Sequence, residues 1–445
     1  MAEVVKVGMV SLGCPKNQCD AELMLAKIAD AGYKIVNEAG LADVVIINTC
    51  GFIQSAKEEA IEEIMEAINR KEDGINKKII VTGCLAERYQ QQMDEEFPEI
   101  DAVLGIAKND DIVEAINSVL LDKRVIAFGD KLCHNMEGKR LQSTLPHYAY
   151  LRIADGCSNC CSYCAIPMIR GKMRSRKMEN IIEEAKTLAA DGVKELVIVA
   201  QDVTAYGIDL YKKYALPELL KELCKIDGIK WIRLLYCYPE RITDELIEVI
   251  KTEEKVLNYI DVPIQHCNDE ILKAMNRKSD KKSLTELFEK LRREIPDIVL
   301  RTTLITGFPG ETEEQFTELA EFVNEVKFQR LGCFAYSEEE DTPAAEMPYQ
   351  VDEGERQRRA DIITNEQEIR MGDYYADFVD KEFEVVCEGF DRYSDMYFGR
   401  SMHFAPEIDG MIYFISQKEN RPTIGDFIKV KITDILENNL LGEQV

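Results

Sequence analysis

Cys157-Ser158-Asn159-Cys160-Cys161-Ser162-Tyr163-Cys164 puts four cysteines into eight residues. Taken as Cys157, Cys161 and Cys164, the spacing is C-x3-C-x2-C. A structural zinc site takes four ligands, usually from paired C-x2-C knuckles. Three thiolates on one short loop instead suit a cubane iron–sulfur cluster with one iron free of protein. An open iron can chelate a small molecule and react with it. The stretch also decides the fold, because it follows directly on an apolar run at 148–153.

That run is the first of six strand candidates: 148–153, 195–200, 231–236, 259–263, 299–305 and 330–334. Helical patterns lie between them, at 180–190, 243–251, 282–293 and 312–326, with Leu284, Leu287 and Leu291 marking one buried stripe. Six alternating βα units predict a partial parallel barrel, whose active site belongs at the C-terminal strand ends. The cysteine loop follows the first strand, as that rule requires. The other ends carry Gln201-Asp202, Tyr236 to Glu240, Gln265-His266, Thr306 to Glu311 and Tyr336-Ser337. His266 by itself reads as a hydrogen-bonded loop residue, and Gly307 and Gly310 as loop-shaping glycines that also let backbone approach a ligand.

Upstream, one pattern occurs three times: an apolar run ending in Cys14, in Cys50 and in Cys84. Helical stretches follow at 21–31, 55–69 and 90–97, which predicts a parallel α/β sheet. A single cysteine at a strand end is more often a packing residue than a ligand. Three at equivalent positions converge on the edge where open α/β sheets bind ligands, so a second cluster could be held there. Cys19 breaks the repeated position and reads as packing.

The chain of 445 residues suits about three domains. No run of eighteen apolar residues predicts a membrane span, and the N-terminus lacks the features of a secretion signal, so a cytoplasmic location is expected. Fourteen cysteines in that reducing compartment argue for ligands or buried thiols over disulfides. A net charge of −27 disfavours polyanionic partners and favours basic ones. Residues 130–146 read as a linker, with Cys133-His134 in a bland surface role. Residues 352–377 read as a surface helix. Beyond 376, short β-like runs at 382–388, 397–400, 410–415 and 427–434 predict a small barrel. That tail holds fourteen acidic against seven basic side chains, the reverse of a nucleic-acid binder.

Gly156-Cys-Ser-Asn-Cys-Cys-Ser-Tyr-Cys-Ala-Ile-Pro-Met-Ile-Arg-Gly171 resembles the radical-cluster loop of the radical S-adenosylmethionine (SAM) methylthiotransferases. Ser11 to Asn17, Asn48 to Gly51 and Thr82 to Cys84 resemble that family's three N-terminal cluster segments, and the tail its TRAM barrel. The resemblance covers essentially the whole chain. It implies a Rossmann-like cluster domain at 1–129, a linker at 130–146, a partial (β/α)6 barrel at 147–375 and a TRAM barrel at 376–445. It further implies two 4Fe-4S clusters, on Cys157, Cys161 and Cys164 and on Cys14, Cys50 and Cys84. Cys160, directly beside Cys161, departs from the pattern and is taken as a bystander. SAM would serve as radical source and methyl donor, contacted by Tyr163, Gln201, Asp202, Arg233, Thr303 and Gly307.

Within the family, Gly13-Cys14-Pro15-Lys16-Asn17, Pro263-Ile-Gln-His266 and Gly399 to Gly410 resemble the branch that modifies an aspartate β-carbon of small-subunit ribosomal protein twelve. That implies a basic protein substrate, an electron-donating reductase and a sulfur source, with neither a membrane nor nucleic acid as the main partner. The acidic tail agrees on independent grounds. A tRNA methylthiotransferase is the nearest rival; a cluster scaffold or electron carrier is the rival of another class, and a radical enzyme on a small molecule a third.

Overall fold

A computed structural model describes residues 4–416, 419 and 421–445; Lys418, counted among the tail's bases, lies outside them. The N-terminal unit comprises β1 (Lys6–Ser11), α1 (Pro15–Asp30), β2 (Lys34–Val36), β3 (Val44–Thr49), α2 (Gln54–Glu72), β4 (Lys78–Gly83), α3 (Cys84–Tyr89), α4 (Gln91–Glu96), β5 (Ala102–Leu104), α5 (Ile112–Leu120) and β6 (Val125–Ala127). Its six strands form one parallel sheet in the order β2-β1-β3-β4-β5-β6. Strands such as Val-Val-Ile-Ile-Asn-Thr of β3 are buried along their whole length, because helices cover both faces. The chain leaves β1 for β2 on one side and returns to β3 on the other, so the switch point lies between β1 and β3. Cys14 and Cys50 follow those two strands, where this topology opens a binding crevice.

The central unit runs through β7 (Tyr148–Arg152), β8 (Ala154–Asp155), α6 (Ile166–Arg170), β9 (Arg174–Ser175), α7 (Met178–Ala190), β10 (Glu195–Val199), α8 (Leu216–Cys224), β11 (Trp231–Leu234), α9 (Asp244–Thr252), β12 (Val256–Asp261), α10 (Asp269–Ala274), α11 (Lys281–Glu294), β13 (Val299–Thr306), α12 (Glu313–Val326) and β14 (Arg330–Ala335). Its parallel sheet has the order β14-β13-β12-β11-β10-β7, an open six-stranded barrel. The short β8–β9 ribbon closes the cysteine loop at its base, pairing Asp155 with Arg174.

Next, α13 (Glu353–Ala376) lies along β13 and β14. It is one-sided and not simply a surface helix: Ile363, Gln367 and Tyr375 are buried against the barrel and the tail. The tail forms a closed barrel from β15 (Glu382–Asp391), β16 (Met396–Arg400), β17 (Ile412–Ile415), β18 (Phe427–Leu436) and β19 (Asn439–Gln444). This small barrel is docked on the face of the central sheet opposite its helices. Its Val386 and Ala405 share a core with Tyr148, Tyr150 and Tyr259.

Three local expectations need correction. The helix expected over 90–97 is α4 (Gln91–Glu96), but another short helix, α3 (Cys84–Tyr89), precedes it, and the two are broken at Gln90, whose φ is +38°. The first helix begins at Pro15, which is preset for a first turn. Cys19 is therefore inside α1, buried with its sulfur 3.8 Å from the Tyr150 carbonyl. The linker is not bland either, because His134 is buried between Asp20 and Asp155.

Candidate active site

Four elements pin the loop that carries Cys157, Cys161 and Cys164. Gly156 has φ +76°, and a Cβ there would lie 2.4 Å from the Lys172 carbonyl. This close approach lets Cys157 N–H donate to the Gly171 carbonyl at 3.1 Å. Ser162 donates from its backbone to Met275 and from its hydroxyl to Ala274. Asn159 bridges Asp202 and Arg241, at 3.0 and 2.8 Å. Burial, reinforced by Asp202 and Cys161, pushes Cys157 up to about 11. Cys160 turns away, with φ +53° and an exposed side chain. A cavity of about 130 Å³ opens beside Cys157, lined also by Asn159, Met173, Asp202 and Arg241.

Of the residues expected at SAM, Asp202 caps the turn after β10 and pairs with Arg241. Gln201 donates to Asp155 at 3.0 Å, and its own carbonyl oxygen is buried without a partner. Tyr163 packs near Ile271, Phe308 and Tyr336. Thr303 is half-buried within β13, and its carbonyl accepts from Gln265 N–H. Gly307 has φ +71° and leaves no room for a Cβ beside Arg356. Arg233 lies elsewhere: its guanidinium is fully buried on Glu195 at 2.7 Å and on the Met402 carbonyl of the small barrel.

The second trio is drawn together by asparagine and glycine. Asn17 donates to the carbonyls of Leu12, Asn48 and Thr49, which stitches the Cys14 loop to the Cys50 loop. Thr49 donates to the Thr82 carbonyl at 2.6 Å, tying in the strand that ends at Cys84. Gly13 and Gly83, with φ of +85° and +97°, let the Cys50 side chain and the Thr49 backbone, respectively, approach where any Cβ would collide. Burial pushes Cys84 up to about 12 and raises Cys50, with the neighbouring thiols adding to it. Cys14 is lowered, because Lys16 and Arg170 outweigh its burial.

The two trios face each other. The Cys84 side chain packs against Ala165, the residue after Cys164, and against Ile169. Arg170, on α6 just beyond the first loop, donates to the Cys84 sulfur at 3.5 Å and to Asn17 at 3.2 Å. The same guanidinium meets Asp20 and Asp155 at 2.9 and 3.1 Å. Sequence reading passed over Arg170, Asp155 and Asp20. The one signal was a charged residue directly after the apolar segment at 165–169 that follows the cysteine loop. The donors at each trio are sulfur only, which fits an iron–sulfur cluster and not a hard, oxygen-seeking cation. Among the described residues, no three metal-binding side chains close on a single ion.

Comparison with known proteins agrees with this layout. Residues 6–105 match "Uncharacterized protein family UPF0004", residues 151–323 the "Radical SAM superfamily" and residues 379–445 the "TRAM domain". A solved radical SAM methyltransferase, TsrM from Kitasatospora setae, shares the fold with a TM-score of 0.57 at 13% identity, covering 77% of each chain. Sheet, open barrel and small barrel thus define a radical SAM enzyme, a class that uses a 4Fe-4S cluster and SAM. Ribosomal protein uS12 methylthiotransferase RimO from Thermoanaerobacter sp. (strain X514) is 48% identical over 98% of this chain and 99% of its own. The protein of the same name from Caldanaerobacter subterraneus subsp. tengcongensis is 49% identical over the same shares. The chain belongs to this RimO family of methylthiotransferases. Among the described residues no helix is long and apolar enough to cross a membrane.

Proposed function

We propose that this chain adds a methylthio group to the β-carbon of an aspartate in ribosomal protein uS12. One cluster is held by Cys157, Cys161 and Cys164 and a second by Cys14, Cys50 and Cys84. The contact of Cys84 with Ala165 and Arg170, which sets one trio against the other, is the observation that carries this reading. When bound, the clusters and SAM supply an oxidant for an unactivated C–H bond and the sulfur and methyl that are transferred. The chain's own residues bind, orient and exclude water. Asn159, Asp202 and Arg241 hold the first loop rigid. In this reading Gln201, Asp202 and Tyr163, with Thr303 and Gly307, would contact SAM; of these, Asp202 lines the cavity beside Cys157. Arg233 joins the barrel to the tail.

In this reading the cluster domain spans 1–129, the linker 130–146, the central barrel 147–375 and the small barrel 376–445. The acidic tail supports a basic protein partner. The reaction also calls for an electron donor and a sulfur source, in the cytoplasm where ribosomes are built. The test is mass spectrometry of a uS12 target-loop peptide after anaerobic incubation with reduced enzyme, SAM and sulfide, with tRNA in parallel. A gain of about 46 Da on the peptide, one methylthio group for one hydrogen, is expected from this cofactor-borne chemistry. A gain on tRNA alone would transfer the activity to the rival substrate. Absence of 5′-deoxyadenosine would leave a cluster carrier.

A further inference from the structure

The central barrel is open, and its two edge strands are β7 and β14. The N-terminal unit is attached at both edges. On the β7 side, Asp20 of α1 takes Arg152, and Arg170 reaches Cys84 and Asn17. On the β14 side, the segment that leaves the strand makes a second attachment, centred on Glu339. Its side chain is 1% exposed. Both carboxylate oxygens are used. One accepts from Lys57 at 3.1 Å and from Arg88 at 2.6 Å, and the other from the Ser337 hydroxyl at 2.6 Å. Ser337 in turn accepts from the N–H of Gln54, the first residue of α2.

These partners frame the second trio. Arg88 is one turn past Cys84 in α3, and it donates also to the carbonyl of Gly51, next to Cys50, at 3.1 Å. Gln54 and Lys57 open α2, which follows the Cys50 loop. In the other direction Glu339 is tied to the first trio. Thr342 donates to the Glu339 carbonyl from its N–H at 3.2 Å and from its hydroxyl at 2.7 Å. Two residues on, Ala344 N–H donates at 2.9 Å to the carbonyl of Ser162, which lies between Cys161 and Cys164. Ala344 is buried in a core with Phe308 and Tyr336, against which Tyr163 packs. One short segment thus joins the Cys50 and Cys84 loops to the Cys161–Cys164 loop.

We propose that Glu339 is a positioning residue, which latches the N-terminal unit to the β14 edge and so sets the separation of the two cluster sites; this rests on the two-cluster reading above. Contacts at both edges fix a rotation that contacts at one edge leave free. Buried ion pairs add little stability over apolar packing, and their best-attested use is to select one arrangement. Spacing matters because the reaction joins a carbon activated at one site to a methylthio group held at the other. A misplacement of about 1 Å can cost about a hundredfold in such a geometry.

The test uses the full-length protein reconstituted with iron and sulfide, as parent, Glu339→Gln and Glu339→Asp. Two quantities are read. One is the magnetic interaction between the two reduced clusters, by electron paramagnetic resonance. The other is the 5′-deoxyadenosine formed per methylthio group transferred to the uS12 peptide, or to tRNA if the parent modifies tRNA instead. In Glu339→Gln, iron content and SAM cleavage stay at the parent level. The interaction weakens, and the ratio of deoxyadenosine to product rises about tenfold to a hundredfold. Glu339→Asp, which keeps the charge on a shorter arm, falls between. Either quantity unchanged in Glu339→Gln overturns the inference. Where Glu339→Gln loses iron, Lys57→Gln, which removes only the α2 arm, is read in its place. Loss of iron there as well makes Glu339 a stability residue of the Cys50 loop and overturns the spacing role. A parent that holds about four irons removes the two-cluster reading and this inference with it. A parent with about eight irons and an unaltered variant removes the inference alone.

Discussion

One guanidinium, that of Arg170, faces Cys84, Asn17, Asp20 and Asp155 from a fully buried position. Its charge is matched by two carboxylates, so removing it leaves Asp20 to Arg152 and His134, and Asp155 to His134 and Arg174, each short of its buried guanidinium contact on α6. Arg170→Met is expected to cost about 3–5 kcal/mol, the usual penalty for breaking a buried pair on one side. Lysine recovers only part, because a point charge cannot serve four acceptors spread over a plane. Denaturant unfolding of the metal-free protein checks this. His134 gives the same cluster a pH dependence. Burial opposes its charge, but Asp20 and Asp155 outweigh it and raise its pKa above 6.5. Its stabilisation is complete below the unfolded value near 6.5 and is lost as pH rises through the raised folded value. Asp20 and Asp155 behave oppositely: burial alone would raise them, yet Arg152, Arg170 and His134 hold them down, and their contribution fades on acidification below 3.8. Thermal scans from about pH 6 to about pH 9 should therefore show a falling Tm in the parent. The fall should be smaller in His134→Asn. The cysteines of this region were legible in the sequence because spacing is a local property. Arg170, Asp20 and His134 were not, since partners about 115 to 150 residues apart leave no local pattern.

At the scale of elements, strand ends position the chemistry and glycines make the ends fit. Gly83 closes β4 with φ +97°, and a Cβ there would lie 2.4 Å from the Thr49 carbonyl. Side chains rarely adopt that backbone, and the collision is with a neighbouring strand that cannot give way. Gly83→Ala should thus push Cys84 away from Cys50 while leaving the central barrel unaffected. Iron analysis after reconstitution is expected to fall from about eight to about four irons per chain, the content of one cubane cluster instead of two. Retention of the full content would show that the Cys84 loop tolerates the shift. The strands were legible because parallel strands covered on both faces are continuous apolar runs, and all six central ones lie within a few residues of their expected places. Helix α8 and the break at Gln90 were not, the first because its stripe is short and the second because a positive φ at glutamine has no compositional mark.

Across the whole molecule, the small barrel is built into the central one. Arg400 joins Glu195 and Glu388, each at 2.8 Å, and Glu388 meets His147. Arg400 and Arg233 outweigh burial and hold Glu195 down to about 2. Tyr259 donates to Asp409, and Arg330 to the carbonyl of His403. This is why Arg233, read from its strand as a ligand contact, serves the interface: its partners enter from a segment about 170 residues later. The tail's excess of acid lies on the small barrel, which meets the central sheet at Tyr148, Glu195, Trp231 and Arg330, the first residues of their strands. Binding of uS12 should weaken steeply between about 50 and about 200 mM salt, as for any contact driven by opposite charge. The same docking forbids treating the tail as an appendage. Ending the chain at Ala376 would expose the Tyr148, Tyr150 and Tyr259 face to water and strand Glu195 and Arg233 without Arg400 and Met402. Such a chain is expected to aggregate or to unfold well below the full-length Tm. Arg400→Met alone is expected to cost about 3–5 kcal/mol, by leaving Glu195 and Glu388 short of a buried partner. If the truncated chain instead melts like the parent and still cleaves SAM, the tail is a detachable recognition module, and the shared core of Val386 and Ala405 with the central sheet adds nothing to stability.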